Sequence, residues 1–296
     1  MFDFGLMPRS TAGQGHGRGI TVSGSGNYVL GHSEQEQERL LLQARILRPF
    51  TDKFFRAAGI VPGMRVLDLG SGVGDVALLA GDIVGPGGRV VGLDRDANAL
   101  ERARRRASEQ GCSSWVSFQT ANLDDFASTE QFDAVVGRYI LLYQPDAAAT
   151  ISRLMRFLKP GGIVAFHEIV FGQAETTFPP CELWDRVSTL LAEVFRRGGA
   201  PPDFGRRLGP TFLDAGLPFP TIVAEAIVGG GPGSIIFPWL AATVVNTAPR
   251  MRELGLAPEG IALDHSLAGK LEEAAVALGC QVQGPMQYAA WSRKSL

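Results

Sequence analysis

A glycine-rich loop between a buried strand and a helix constrains the fold of this chain more than any other feature. The run Met64–Leu69 is short and almost wholly apolar, which is typical of a strand covered on both faces. Gly70, Gly72 and Gly74 follow it, and Asp75–Val84 has the pattern of a helix. Because glycines allow sharp turns and close approach to a ligand, this strand–loop–helix order predicts a nucleotide-type binding loop.

Strands and helices alternate beyond this loop. Further strands are predicted at Arg89–Asp94, Trp115–Thr120, Phe132–Val136 and Ile163–Val170, and helices at Ala97–Gln110 and Asp146–Leu158. This repetition predicts an α/β fold with a doubly wound, mostly parallel, Rossmann-like sheet and helices on both faces. We expect the ligand to bind outside the carboxyl ends of the strands.

Composition narrows the class of protein. Of the 296 residues, 45% are hydrophobic and 20% charged, which argues against global disorder. The net charge of −2 is unlike that of a general nucleic-acid binder. Three widely spaced cysteines and scattered histidines suggest neither a disulfide framework nor a metal site. We therefore expect a cytoplasmic protein with a small-molecule substrate and no nucleic-acid or membrane partner, and leave a homodimer open.

Carboxylates around the loop distinguish between two classes of adenosine cofactor. Asp94, twenty residues past Gly74, is placed to accept both ribose hydroxyls. The last glycine of a G-x-G-x-x-G fingerprint would fall at Asp75, whose charge opposes a pyrophosphate, and Asp68 adds another carboxylate. Ammonium and sulfonium groups are instead attracted by carboxylates. The residues therefore favour S-adenosylmethionine over a nicotinamide cofactor, which stays as the alternative.

Three landmarks resemble one enzyme family. The run D-L-G-S-G-V-G from Asp68 resembles the first motif of class I S-adenosylmethionine-dependent methyltransferases, and Asp94 after R-V-V-G-L resembles their acidic second motif. The turn L-K-P-G-G at 158–162 is similar to one in many small-molecule methyltransferases. The resemblance covers about residues 28–170, and the lead-in Y-V-L-G-H-S at 28–33 resembles bacterial enzymes of this group, many of which serve specialised metabolism.

The resemblance implies roles for individual residues in binding S-adenosylmethionine. Backbone groups of Gly70, Ser71 and Gly72 would face the methionine half, and Asp68 would orient the loop and the cationic end. At the nucleoside, Asp94 would hold the ribose and Arg95 would lie beside the adenine. The remaining implied contacts are Asn122 and Leu123 at the adenine amine, the Arg138 carbonyl near the methionine amine, and Tyr28 closing over the cofactor. Asn122 stands where the family commonly has an acidic residue, and its amide oxygen can still accept a hydrogen bond.

Composition and hydrophobic periodicity also divide the chain into parts. We expect a flexible leader at 1–26, an N-terminal helical segment at 27–62 that Pro49 bends or divides, and the S-adenosylmethionine-binding core at 63–172. A helical insertion at 173–217 would precede C-terminal strands with a helical lid insertion at 218–296. The lid would cover the active-site mouth or form a dimer contact.

The implied reaction is methyl transfer to an O, N or C atom of a small, fairly apolar acceptor, such as a specialised metabolite. His167 is the candidate general base and Glu168 its orienter or alternative, against the simpler interpretation of a buried histidine. A base-modifying enzyme is disfavoured because Gly137-Arg138-Tyr139-Ile140 replaces an N-P-P-Y loop. Alternatives are a non-methylating S-adenosylmethionine-dependent cyclase or decarboxylase, and a nicotinamide-dependent dehydrogenase.

Two further groups of residues have ordinary structural interpretations. The arginines 102, 104, 105 and 106 share a predicted surface helix with Glu101 and Glu109, so a solvated face is favoured over a phosphate site. The aromatic residues of the C-terminal half fit a hydrophobic core slightly better than a substrate pocket. These are Phe178, Trp184, Phe195, Phe237 and Trp239. Tyr139 and Tyr143 fit core and function equally well.

Overall fold

The sheet and its first helices form the amino-terminal half of the fold. The computed structural model describes residues 34–173, 176–256 and 259–295. In chain order it begins with α1 (Glu34–Ala58), β1 (Arg65–Leu69), α2 (Asp75–Val84), β2 (Arg89–Asp94), α3 (Ala97–Glu109), β3 (Val116–Thr120) and β4 (Phe132–Arg138). A 3-10 turn at Leu141–Tyr143 then leads to α4 (Ala147–Leu154), a second 3-10 turn at Met155–Phe157, and β5 (Leu158–Val170).

The carboxyl-terminal half adds more helix than strand. It contains β6 (Thr177–Phe178), α5 (Glu182–Arg197), a 3-10 turn at Phe204–Arg207, α6 (Leu208–Asp214), β7 (Thr221–Gly229), α7 (Ile236–Glu253), α8 (Ser266–Ala277) and β8 (Gln281–Arg293). The helices between β7 and β8 separate two strands that a plain sheet would join by a short turn.

The sheet is mostly parallel. Its order is β3-β2-β1-β4-β5-β8, with β7 on the far edge of β8, and the first five strands in this order are parallel to one another. The strand β8 runs antiparallel to both β5 and β7. The short β6 pairs with β8 beyond the end of β5. The predicted doubly wound α/β sheet is therefore confirmed.

Two hydrophobic cores cover the two faces of the sheet. Phe54 of α1, Leu78 of α2 and Leu100 of α3 pack with apolar strand residues on one face. The helices α4 to α8 pack on the other face, where Trp184 and Phe237 are fully buried. Among the described helices, none is long and apolar enough to cross a membrane.

Two sequence expectations about local structure were wrong. Pro49 does not divide the first helix, because α1 continues through it from Glu34 to Ala58, and a bend at Pro49 stays a prediction. The turn at 159–162 does not precede β5 but lies inside it as an irregularity, since Phe132 pairs with Leu158 and Ala134 with Ile163. Gly161, with φ 71°, permits this bulge.

Some elements carried too little signal to be predicted. The two-residue β6, the 3-10 turns and the seven-residue α6 are all shorter than the window over which hydrophobic periodicity can be recognised. The division of the chain into a core, an insertion and a lid remains a proposal. The position of α7 supports it, because this helix contacts both α1 and α5 across the top of the sheet.

Candidate active site

A cavity lies at the carboxyl ends of the parallel strands. It has a volume of about 330 Å³, within the usual range for small-molecule sites. One side is built by the ends of β1, β2 and β3 and contains Gly70, Ser71, Gly72, Asp94, Arg95, Asn122 and Leu123. The opposite side is mostly apolar and contains Leu142, Ile169, Phe171, Phe195, Trp239 and Leu240. The cavity therefore has a polar half and an apolar half.

The glycine loop is held at the rim of this cavity by the next strand. The Ser71 amide donates to the Leu93 carbonyl at 2.8 Å, and the Gly74 amide donates to the Ser71 carbonyl at 2.8 Å. Gly70 has φ +62°, and a Cβ there would lie 2.5 Å from Cδ1 of Ile140. Only glycine fits such a position without a shift of its neighbour.

Asp94 connects the second strand to the loop. Its Oδ2 accepts from the Gly72 amide at 2.7 Å, and its Oδ1 accepts from the Asp96 amide at 2.9 Å. A carboxylate has about four lone-pair sites, so two remain for further donors. The carboxylate is half-buried and lines the cavity, which is the placement that binding of ribose hydroxyls requires.

The loop is followed by a compact network of charges. The Asp75 carboxylate lies 2.6 Å from Nη1 of Arg106 and 3.8 Å from Nη2 of Arg138. Arg106 also donates to the Val73 carbonyl at 2.5 Å. The interpretation of Arg106 as part of a solvated face was therefore wrong, because its side chain reaches inward to the glycine loop. Arg105 does lie on the surface.

The net charge of the lining favours a cationic ligand. The cavity is lined by the carboxylates Glu36, Asp75, Asp94, Asp96 and Asp124 and by the guanidinium groups Arg39, Arg95 and Arg138. Carboxylates outnumber guanidinium groups in the lining, and Arg106 and Arg153 from outside it pair with Asp75 and Asp124. Among the described residues, Asp94 accepts from backbone amides and not from an arginine, so its charge beside the glycine loop opposes a pyrophosphate and attracts ammonium or sulfonium groups.

Asp68 lies beneath the loop and not in the cavity wall. It is 1% exposed, and neither oxygen accepts a hydrogen bond of good geometry from the described groups, although the Ala77 amide is close enough to lower the pKa of the carboxyl. Burial raises the pKa of its carboxyl well above the usual range, and the Arg138 guanidinium opposes that shift. The nearby Ser71 hydroxyl is also buried without a partner and lines the cavity. The unpaired Ser71 hydroxyl therefore fits a site that a polar cofactor completes.

Most of the predicted cofactor residues are brought together. Gly70, Ser71, Gly72, Asp94, Arg95, Asn122, Leu123 and Arg138 line the same cavity. The Arg138 side chain is held by Thr51, since Nη1 donates to Thr51 Oγ1 at 3.4 Å. Tyr28 lies outside the described residues. The cofactor roles of these residues stay predictions.

His167 and Glu168 do not line the cavity. Both are fully buried in β5. His167 Nε2 lies 3.0 Å from Gln287 Oε1, and burial lowers the pKa of the imidazole to about 3. Glu168 Oε1 accepts from the amides of Ile140 and Leu141 at 3.1 and 2.7 Å, and burial raises its pKa to about 8. Their catalytic roles stay predictions, and this placement favours a part in shaping the loop after β4.

A cluster of three buried polar side chains on α1 was not predicted from the sequence. Arg39 Nε and Nη2 donate to the two oxygens of Glu36, each at 2.7 Å, and Arg39 Nη1 donates to Gln43 Oε1 at 2.7 Å. All three residues are less than 6% exposed and line the cavity. Their spacing of three and four residues places them on one helix face, and this was the available sequence signal.

The five predicted aromatic residues fall into three groups, which line the cavity, pack in the core or are exposed. Phe195 and Trp239 are buried and line the cavity, whereas Trp184 and Phe237 pack against each other in the core at 6.0 Å between ring centroids. The core interpretation was wrong for Phe178, which is 79% exposed. Trp239 belongs to α7, so this helix supplies part of the cavity wall. Within the described part of the chain, no group of His, Cys, Asp or Glu is arranged to hold a metal.

The contrast between Arg105 and Arg106 gives a stability prediction. Arg106→Ala leaves Asp75 with only the more distant Arg138, and we expect it to lower the free energy of unfolding by about 1–2 kcal/mol. Arg105 is 70% exposed, and Arg105→Ala should cost less than about 0.5 kcal/mol. Urea denaturation of both variants measures the difference. Equal losses would show that the contact to Asp75 contributes nothing.

The fold and the cavity together define a protein that binds a nucleoside cofactor. A family model described as a methyltransferase domain matches residues 60–197. The aklanonic acid methyltransferase DauC of Streptomyces sp. (strain C5) is 32% identical over 148 residues, which are 50% of this chain and 67% of that protein. The chain belongs to the class I S-adenosylmethionine-dependent methyltransferases.

Other relatives and structures agree with this fold. An uncharacterised protein of Mycobacterium tuberculosis is 30% identical over 172 residues, so the match spans 52% of this chain and 61% of that relative. The phosphoethanolamine N-methyltransferase 2 of Haemonchus contortus superposes with a TM-score of 0.57 at 17% identity, covering 90% of this chain and 59% of that one. The cyclase SpnF superposes with a TM-score of 0.51 at 19% identity, covering 84% of this chain and 81% of SpnF. At these identities the structures show the fold alone.

Proposed function

We propose that this protein transfers a methyl group from S-adenosylmethionine to a small, largely apolar organic acceptor. The observation that carries the proposal is the shared cavity, in which a carboxylate-lined half adjoins an apolar half. The first half suits a cationic nucleoside cofactor and the second suits an uncharged carbon skeleton. The relative DauC, whose name gives aklanonic acid as its substrate, supports an acceptor from specialised metabolism.

Bound S-adenosylmethionine supplies a methyl group that its sulfonium already activates. The tasks left to the chain are to orient the two reactants and to exclude water. We assign cofactor binding to Asp94, to the glycine loop at 70–72 and to the free Ser71 hydroxyl, with Asn122 and Leu123 at the adenine end. Phe195, Trp239 and Leu240 would cover the acceptor and keep the cavity dry.

The residues present fit this cofactor better than a dinucleotide. A pyrophosphate would have to lie at the first turn of α2, where Asp75 is already paired with Arg106. Isothermal titration with S-adenosylmethionine and with NADH tests this point. We expect micromolar binding of the first and none of the second. Tight NADH binding without S-adenosylmethionine binding would favour the dehydrogenase alternative.

The reaction itself is tested by mass spectrometry of both products. We expect the protein to form S-adenosylhomocysteine while a small, largely apolar acceptor gains the mass of one methylene. Conversion of an acceptor without S-adenosylhomocysteine would contradict methyl transfer and favour the cyclase or decarboxylase alternative. Protein denatured by heat serves as the control for spontaneous methylation.

A further inference from the structure

Tyr139 occupies a strained position at the edge of the cavity. It follows β4 directly, lines the cavity, and has φ 56°, the only positive value found at a non-glycine residue in the described ranges. Such conformations are uncommon for bulky residues and cluster at functional sites. Its amide donates to the His167 carbonyl at 2.8 Å, and its ring centroid lies 5.3 Å from that of His167. The side chain is therefore held against β5 despite the cost.

Gln287 of β8 determines the direction of the hydrogen bonds around Tyr139. It is 1% exposed, and its Nε2 donates to the Pro285 carbonyl at 2.8 Å. This bond fixes the amide, so that Oε1 is the atom near the Tyr139 hydroxyl and the imidazole of His167. An amide oxygen can only accept, so both neighbours must donate to it.

The Tyr139 hydroxyl therefore uses its one proton in the hydrogen bond that it donates to Gln287 Oε1. The phenol oxygen keeps lone pairs, with which it can accept a hydrogen bond but cannot donate one. Burial also raises the pKa of this hydroxyl, so the group stays protonated across the physiological range. Tyr139 thus brings an oxygen that can only accept to a cavity whose lining includes the apolar side chains of Ile169, Phe171 and Leu240.

We propose that Tyr139 is a specificity-determining residue, which accepts a hydrogen bond from an O–H or N–H group of the methyl acceptor. The inference rests on the proposed function and narrows its substrate class to neutral, largely apolar molecules that carry a hydroxyl or amine. Molecules that offer only lone pairs, such as ethers or phenolates, would face the Tyr139 oxygen without a proton between them and bind less tightly.

The test uses a matched pair of ligands, 1-naphthol and 1-methoxynaphthalene. Calorimetry with protein saturated with S-adenosylhomocysteine measures both affinities without turnover. We expect the unaltered protein to bind the naphthol about fivefold more tightly, as one neutral hydrogen bond allows. In Tyr139→Phe the naphthol affinity should fall about fivefold, while the affinity for the ether stays within about twofold.

Tyr288→Phe is the matched control, because Tyr288 lies on β8 and not in the cavity wall. It should keep the preference for naphthol, and thermal unfolding checks that both variants are folded. Equal affinities in the unaltered protein, no binding of naphthol, or a preference that survives in Tyr139→Phe would overturn the proposal. Failure of the proposed function is separate, since it shows as absent S-adenosylmethionine binding or absent S-adenosylhomocysteine formation.

Discussion

Asp94→Asn should weaken binding of S-adenosylmethionine about 30- to 100-fold. The carboxylate accepts from the Gly72 and Asp96 amides and has lone pairs left for two ribose hydroxyls. An asparagine amide nitrogen can donate but not accept, so one of these partners loses its acceptor and the negative charge is removed. Hydrogen bonds to a charged group are worth about 1.5–3 kcal/mol each, or about 12- to 140-fold in affinity, and the expected loss lies in the middle of this range.

Isothermal titration of the variant measures this loss directly. Asp125→Asn is the control, since Asp125 is exposed near the same edge of the sheet and does not line the cavity. It should bind the cofactor as the unaltered protein does. Because Asp94 also holds the loop, S-adenosylhomocysteine should lose affinity by a similar factor. An unchanged dissociation constant for Asp94→Asn would refute the assignment of this residue to the cofactor.

The sheet could be predicted from the sequence because its signals are local. The buried strand before Gly70 and the helix after Gly74 each carry their own periodicity, and the predicted bounds of α2 and β2 agree with those observed. The glycine loop places its ligand at the carboxyl edge of the sheet by topology alone. The position of the polar half of the cavity could therefore be predicted from the position of the glycine loop.

The apolar half of the cavity could not be predicted because it depends on long-range packing. Nothing local distinguishes Trp239, which lines the cavity, from Trp184, which packs in the core. In the same way, the end of β5 suggested that His167 would reach the ligand, whereas pairing with Arg138 and Ala289 places it inside the sheet. Which residues face a cavity depends on how α1, α5 and α7 meet above the strands.

The fully buried pair His167 and Glu168 should give the free energy of unfolding a maximum in mildly acidic solution. Between pH 4.5 and about 8, the folded state keeps a proton on Glu168 that the unfolded state has lost, so stability falls as the pH rises. Between about pH 3 and 6.5, the unfolded state holds a proton on His167 that the folded state lacks, so stability falls as the pH drops. The two slopes oppose each other between pH 4.5 and 6.5.

Amide variants separate the two contributions. Glu168→Gln keeps an oxygen for the Ile140 and Leu141 amides but cannot ionise. Its stability relative to the unaltered protein should therefore rise by about 3 kcal/mol from pH 5.5 to 8.5, at about 1.4 kcal/mol per pH unit within the titration window. The stability of His167→Gln relative to the unaltered protein should rise by a similar amount as the pH falls from 7.5 to 4.5. The carboxyl of Asp68 also has a raised pKa, so the free energy of unfolding of both variants should still fall somewhat as the pH rises.

Urea denaturation across this pH range is the measurement, and Glu101→Gln is the control because Glu101 is exposed on α3. The difference in free energy of unfolding between Glu101→Gln and the unaltered protein should not depend on pH. If the difference for Glu168→Gln were also constant, Glu168 would have the same pKa in the folded and unfolded states. The carboxylate would then lie charged beside the loop after β4, and the two amide donors would offset its burial completely. A rising difference instead means that a neutral carboxyl holds Ile140 and Leu141, and with them the chain that follows Tyr139.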